Sequence, residues 1–349
     1  MEAKVKHFFL LMVLYFLTIG AAPNIPAEIF VHSVNGNPTL SMDGYFNNIP
    51  IEVGMFIHPS MKAQVSHSHN FRVHCGDPNE PIKIINTKQV SALCRRKRTT
   101  NVMRSESDSS YPIIISPRKP NVVALEQIEW AHSSTSMHKL TISEFGDNSK
   151  PPIEVLLNPK KRNSRYSTQY YHLSNHQKSI LEHGKKYSIV IKDLNTGSSS
   201  EKDPGFSGVI QLVAHAEIKD INNSLKKVTQ TLNNETLDRY FSAIHLRNQE
   251  YYADSTRMLS KANASLNPLH LHYLQVKNAQ LEGVQTNYLT KKWMDLLVAA
   301  VKKENTVTAA LACMEIRSGY GDLPTYWHDF LGKYKNHDKF RQYCDLSDL

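Results

Sequence analysis

Seventeen histidines stand in this 349-residue chain, and their spacing is its first chemical signal. The tightest group is His67-Ser68-His69, followed by His74. On a strand His67 and His69 share one face, the arrangement in which a His-x-His pair starts a zinc site. No third ligand follows at a recognised spacing, and the adjacent Cys75 is better used in a disulfide. His270-Leu271-His272 repeats the pattern with the same lack, so neither pair is read as a metal centre.

A second signal is charge beside aromatic rings. Lys160, Lys161, Arg162, Arg165, Lys178, Lys185 and Lys186 stand against the single acid Glu182, with Tyr166, Tyr170 and Tyr171 interleaved. Basic groups neutralise phosphates while aromatic faces stack on bases, so these residues are the candidate nucleic-acid contacts. A formal net charge of +9 agrees with a nucleic-acid or other polyanionic partner. The Gly-x-Ser-x-Gly elbow, His-Glu-x-x-His, the phosphate-binding P-loop and Cys-x-x-Cys are all missing, which removes the best-marked catalytic classes.

The compartment is read from the N-terminus and the cysteines. Lys4 and Lys6 precede the apolar run Phe8–Ile19, and the small residues Gly20-Ala21-Ala22 follow, the pattern of a signal peptide over 1–22. That run is shorter than the roughly 20 residues of a membrane span, and no later stretch is longer, so no stable membrane anchor is expected. Outside the cell the four cysteines are expected to pair. Their order leaves three connectivities, and closeness in the chain favours Cys75–Cys94 and Cys313–Cys344. Asn222, Asn234 and Asn263 open N-x-S/T sequons, the sign of a glycosylated surface. Arg95-Arg96-Lys97-Arg98 has the form of a proprotein-cleavage site, though a solvated basic loop is the preferred reading.

These residues sit on a chain that changes texture. Up to about residue 218 it reads as short strands bounded by Pro, Gly, Asn or Ser: Ile51–Ile57, Phe71–His74, Pro81–Ile85, Tyr111–Ile115, Val122–Leu125, Ile153–Leu157 and Tyr187–Ile191. Asn35-Gly36 after Ile29-Phe30-Val31 signals a hairpin. From about 219 the period lengthens. Leu225, Val228, Leu232 and Leu237 recur at near-helical spacing, and Trp293, Leu296, Leu297, Ala300 and Val301 mark an amphipathic helix ending in Lys302-Lys303. The expected class is α+β, with a β-rich module over 23–110 and a mixed sheet-and-helix domain over 111–349.

Several segments, in order between about 70 and 330, resemble the secreted DNA/RNA non-specific endonucleases of animals, especially the arthropod type. They are Phe71-Arg-Val-His-Cys75-Gly-Asp-Pro-Asn with Val90-Ser-Ala-Leu-Cys94, and Tyr171 through Asn175-His-Gln177-Lys-Ser-Ile180. They continue with Gln211-Leu-Val-Ala-His-Ala-Glu-Ile218, then His272 through Asn278, Gln280, Asn287 and Trp293, and last Leu323-Pro-Thr-Tyr326-Trp327. The resemblance implies a general-base histidine and an asparagine that holds one hydrated magnesium ion. Both are sensible roles, since imidazole titrates near neutrality and a hard cation takes oxygen ligands.

The departures shape the expectation. Gln211 stands where the family has its base and Val209 where it has an arginine, and glutamine takes up no proton near neutral pH. His215 would face elsewhere. By the resemblance Asn287 is the metal asparagine and Asn278 the second choice, with Mg as cofactor only if the site is active. About 40 residues between 219 and 270, carrying all three sequons, read as a surface insertion relative to the family. The reading that follows is a secreted nuclease-like protein with hydrolysis lost or reduced and polyanion binding retained. The alternatives are an active nuclease with a different base and an unrelated glycan- or protein-binding effector.

Overall fold

The computed structural model describes residues 29–58, 60–66, 68–74, 82–84, 88–89, 111–132, 136–147, 149–158, 167–203, 206–230, 235–262, 267–284, 286–319 and 344. The expected signal segment 1–22, His67, Cys75, Cys94, Arg95–Arg98, Lys160, Lys161, Arg162, Arg165, Asn234, Asn263 and 323–327 lie outside these. The class is α+β, with strands first and helices after.

Among the described residues, eight short strands come before residue 90. β1 (Ile29–Asn35), β4 (Phe56–Ile57), β6 (Asn70–His74) and β7 (Ile82–Ile84) form one sheet in the order β4-β1-β6-β7. β2 (Thr39–Met42), β3 (Phe46–Pro50), β5 (Lys62–Gln64) and β8 (Lys88–Gln89) form a second, ordered β3-β2-β5-β8. Asn35-Gly36 is therefore not a hairpin turn: it carries the chain from one sheet to the other. Gly36 has φ +77°, and a Cβ there would lie 2.2 Å from the His69 ring, so both backbone and packing require glycine. The turn chemistry was legible, but β1 finds its partners at residues 56–57 and 70–74.

Eight further strands build two more sheets. β9 (Ile113–Ser116), β11 (Gln127–His132) and β14 (Ser167–His172) pair antiparallel in the order β14-β11-β9. β10 (Asn121–Val122), β12 (His138–Glu144), β13 (Ile153–Leu157), β15 (Lys186–Asp193) and β16 (Val209–Leu212) are ordered β10-β16-β15-β12-β13. In that sheet only β10 and β16 run parallel. Alternation explains β12, where Leu140 and Ile142 are buried between half-exposed neighbours. The two sheets share a core that includes Ile114, Trp130, Leu140, Ile189 and Ile210.

Between β14 and β15 lies the short helix α1 (Asn175–Ile180), closed by a capping box in which Ser174 and Gln177 satisfy each other's amides. Six helices then run in sequence: α2 (His215–Gln230), α3 (Glu235–Asn248), α4 (Tyr252–Lys261), α5 (Pro268–Leu281), α6 (Thr286–Lys302) and α7 (Thr306–Gly319). Each packs on the next. The spacing read in α6 is its buried stripe, with Trp293, Leu296, Leu297 and Ala300 fully buried. α5 starts as its residues dictate, Asn267 capping the Leu269 amide (3.1 Å) ahead of Pro268 in the first turn.

The helices do not stand apart from the N-terminal sheets. Ile29, Phe30, Phe71 and Val73 share one core with Phe241, Ile244, Tyr273 and Trp293. Phe30 meets Tyr240 with ring centroids 6.5 Å apart, and Phe56 meets Tyr273 at 5.2 Å. The Tyr240 hydroxyl also donates to the Gly54 carbonyl. Within 219–270 the described residues include α3, whose Tyr240, Phe241 and Ile244 lie in this core. Cys313 and Cys344 form a disulfide with Cα atoms 5.7 Å apart, the pairing expected from their closeness in the chain. No helix among the described residues is long and apolar enough to cross a membrane.

Candidate functional site

A cleft of about 360 Å³ lies between the three-stranded sheet and helices α4 to α6. Two periodicities line it. On the sheet, Gln127 and Glu129 of β11 and Thr168 and Tyr170 of β14 are alternate residues, so each pair faces the same way. On the helices the spacing is three and four: Ala253, Thr256, Arg257 and Ser260 on α4; His272, Gln275, Val276 and Ala279 on α5; Tyr288 and Lys292 on α6. Ile115, Pro117, Val122 and Leu125 add an apolar wall.

Two of the cleft's charged residues, Arg257 and Glu126, are paired with each other. Arg257 is bridged to Glu126 and to the buried Asp254 (2.7 Å), and Lys261 adds a longer contact to Glu126 (3.6 Å). Asp254 also accepts the amides of Val123 (2.8 Å) and Ala124 (3.2 Å), which locks α4 to the sheet. Deeper in, Tyr288 shares a hydrogen bond with Thr168 (2.8 Å) and its hydroxyl donates to Glu129 (3.4 Å). Lys292 lies over the Tyr288 ring, 5.2 Å from its centroid.

Burial sets the protonation states. It pushes the Glu129 carboxyl up against the opposing pull of Lys292, and it raises the Tyr288 phenol, with Glu129 adding to that. The His272 imidazole is lowered, first by burial and then by Lys292. The polar groups offered to a ligand are thus biased to neutral forms. Behind the wall Glu282, at the C-terminus of α5, accepts from the Arg118 amide (2.8 Å) and from Ser116 (3.4 Å). Burial pushes it up to about 8.

A second polar cluster lies where the two later sheets meet. His132 ends β11, His138 opens β12 and Asp193 ends β15, with His138 and Asp193 paired in register. Asp193 Oδ2 is 3.7 Å from His132 Nε2 and 4.0 Å from His138 Nε2. All three side chains are buried, and one potential ligand atom from each lies within 4.8 Å of the others. Ser136 donates to Asp193 Oδ2 (2.5 Å), while Oδ1 accepts the amides of Asn195 (2.8 Å) and Thr196 (3.0 Å). Burial, then His132, pushes His138 down to about 4.

The residues singled out from the sequence fall elsewhere and apart. Gln211 lies half-buried on β16, in register with Lys186 on one side and Asn121 on the other. Asn278 is fully buried: its oxygen accepts from Arg247 (3.2 Å), and its amide nitrogen donates to Ser255 and Thr256 (3.0 Å each). A carboxamide oxygen bonded to a guanidinium is a poor seat for a second cation, and these bonds tie Asn278 to two neighbouring helices. Asn287 falls in the first turn of α6, directly before Tyr288. Tyr171 and Gln177, part of the resembling segment, are bonded to each other (2.9 Å) around the α1 cap.

No family model, curated protein or solved structure matches this chain. The basic stretch is partly neutralised. Lys185 bonds Glu144 (2.7 Å), and Lys150 bridges Glu144 (3.1 Å) and Glu182 (2.5 Å), while Lys178 and Lys186 form no ion pair among the described residues. Of the histidine pairs, His69 bonds Ser66 (2.8 Å) and His74 bonds His32 (2.9 Å). His270 and His272 lie on a helix rather than a strand, and only His272 reaches the cleft. Asn222 is exposed on α2.

Sequence reasoning missed Glu129, Tyr288, His132, His138 and Asp193. For the last three the available signal was a histidine at each end of a strand-to-strand connection, and an aspartate opening the turn Asp193-Leu-Asn-Thr-Gly197.

Proposed function

We propose that this is a secreted binding protein whose cleft holds an uncharged, hydroxyl-rich ligand, such as one or two sugar units of a glycan. The observation that carries this is the pairing of Arg257 with Glu126 and Asp254, beside the hydrogen-bonding groups of Glu129, Tyr288, Thr168 and His272 and a single ammonium, Lys292, held over the Tyr288 ring. The volume is in the range of small-molecule sites, and an apolar wall faces the polar groups. Tyr170 on the lining is 58% exposed, a flat face on which a sugar ring can stack.

A nucleic-acid role is the second reading, supported by the net charge of +9 and by exposed Lys186 beside Gln211 at the β15–β16 pair. Calorimetry and saturation-transfer NMR of the mature protein separate the two, using neutral saccharides, acidic saccharides and oligonucleotides. Binding of neutral saccharides that is insensitive to salt is the expected result. Binding of oligonucleotides alone, weakening steeply with salt, would overturn the cleft reading.

A further inference from the structure

We propose that His132, His138 and Asp193 form a zinc site that clamps the three-stranded sheet to the five-stranded sheet. The argument starts from topology. β11 belongs to one sheet, β12 and β15 to the other, and the three residues stand at strand ends that converge in the interior. Two imidazoles and a carboxylate are a donor set that zinc accepts.

The geometry is that of a first shell before contraction. Zinc bonds of about 2.0–2.1 Å in a tetrahedron put ligand atoms roughly 3.4 Å apart. The two Asp193–histidine separations of 3.7 and 4.0 Å are longer by a few tenths of an ångström, and the ligand atoms of the two imidazoles lie within 4.8 Å of each other. Both Asp193 separations are too long for the hydrogen bonds that would otherwise explain a buried His–Asp pair. His138 supplies an independent sign: it is 0% exposed, and neither of its ring nitrogens has a hydrogen-bond partner. Buried imidazoles normally have one.

The surroundings orient the carboxylate. Two backbone amides hold Asp193 Oδ1, which directs Oδ2 toward the histidines, and Ser136 steadies Oδ2 from the side. Such outer contacts fix ligand direction in metal sites. The fourth position is open to a water. With every protein ligand buried, the zinc would hold structure and not meet substrate.

The test uses the full mature chain, secreted and purified without a histidine tag. Elemental analysis is expected to find one zinc per chain, and chelation should lower the Tm, with added zinc restoring it. A cobalt-substituted sample should show a spectrum of nitrogen and oxygen ligands. Ser136→Ala should weaken zinc binding by about 10- to 100-fold, and His138→Gln or Asp193→Asn by more. Should those ligand variants fail to be secreted, the cobalt spectrum of the unaltered protein decides. No metal above background after zinc dialysis, a Tm indifferent to chelator, or thiolate-to-cobalt charge transfer would each overturn the site.

Discussion

The hydroxyl of Tyr288 on α6 reaches the carboxyl of Glu129 on β11 at 3.4 Å, spanning the cleft between helix and sheet. Thr168 completes the chain from β14. Tyr288→Phe keeps the ring and removes the bond, so ligand affinity should fall by roughly 1 kcal/mol, about five- to tenfold. Calorimetry on a saccharide that binds the unaltered protein measures this. Unchanged affinity would place the ligand outside the cleft.

Glu129 is biased toward its neutral form, and this can be tested separately. Glu129→Gln imitates the protonated carboxyl and should leave affinity within about twofold at the acidic end of a pH series. Binding by the unaltered protein should weaken as pH rises and Glu129 ionises, because its pKa is raised by burial. The Gln variant should not follow that trend. A large loss in the variant at low pH would mean the ionised carboxylate does the binding.

Stability should vary with pH through Glu282 and His270. Glu282 is raised from 4.5 to about 8, so the folded state keeps a proton that the unfolded chain loses, and stability falls as pH climbs through that window. His270 is lowered from 6.5 to about 4, so its contribution is full above 6.5 and lost as pH falls toward 4. The two oppose each other below 6.5. Between pH 6.5 and 8 only the Glu282 decline remains of the two, up to about 2 kcal/mol for one proton. Glu282→Gln should flatten that segment of a urea-denaturation series. An unchanged slope would assign the proton to another group.

Arg118 and Asp203 form a fully buried ion pair at 2.6 Å, with Arg118 also donating to the Ile114 carbonyl (2.6 Å) and lying over Phe206. Removing one charge strands the other. Asp203→Ala should therefore lower stability by about 3–5 kcal/mol. A loss below about 1 kcal/mol in denaturant melts would show that water reaches the guanidinium.

Phe241 is fully buried in the core shared by the N-terminal sheets and the helices. Phe241→Ala should destabilise by about 3–5 kcal/mol, and the loss should appear in a single transition. Circular dichroism at the helix band and tryptophan fluorescence should melt together, before and after the change. Separate transitions would show that the N-terminal sheets fold as their own unit.

Local order determined what could be read along the chain. The α6 stripe of Trp293, Leu296, Leu297 and Ala300 is legible because helical spacing repeats within a few residues and one face must be buried. Strands β6 and β13 and the Cys313–Cys344 pair were legible for the same reason, each depending on near neighbours. Tertiary structure decided the rest. Asn35-Gly36 carries a turn signal, but which strand β1 joins depends on residues 56–57 and 70–74. The cleft takes its polar groups from Glu129, Thr168, Arg257, His272 and Tyr288, on five elements, and no period links them. His138 faces Asp193 only because β12 and β15 pair in one register, and a slip of one residue would turn them to opposite faces. Side-chain chemistry is written residue by residue, whereas a site is made by which distant residues the packed sheets and helices bring within a few ångströms.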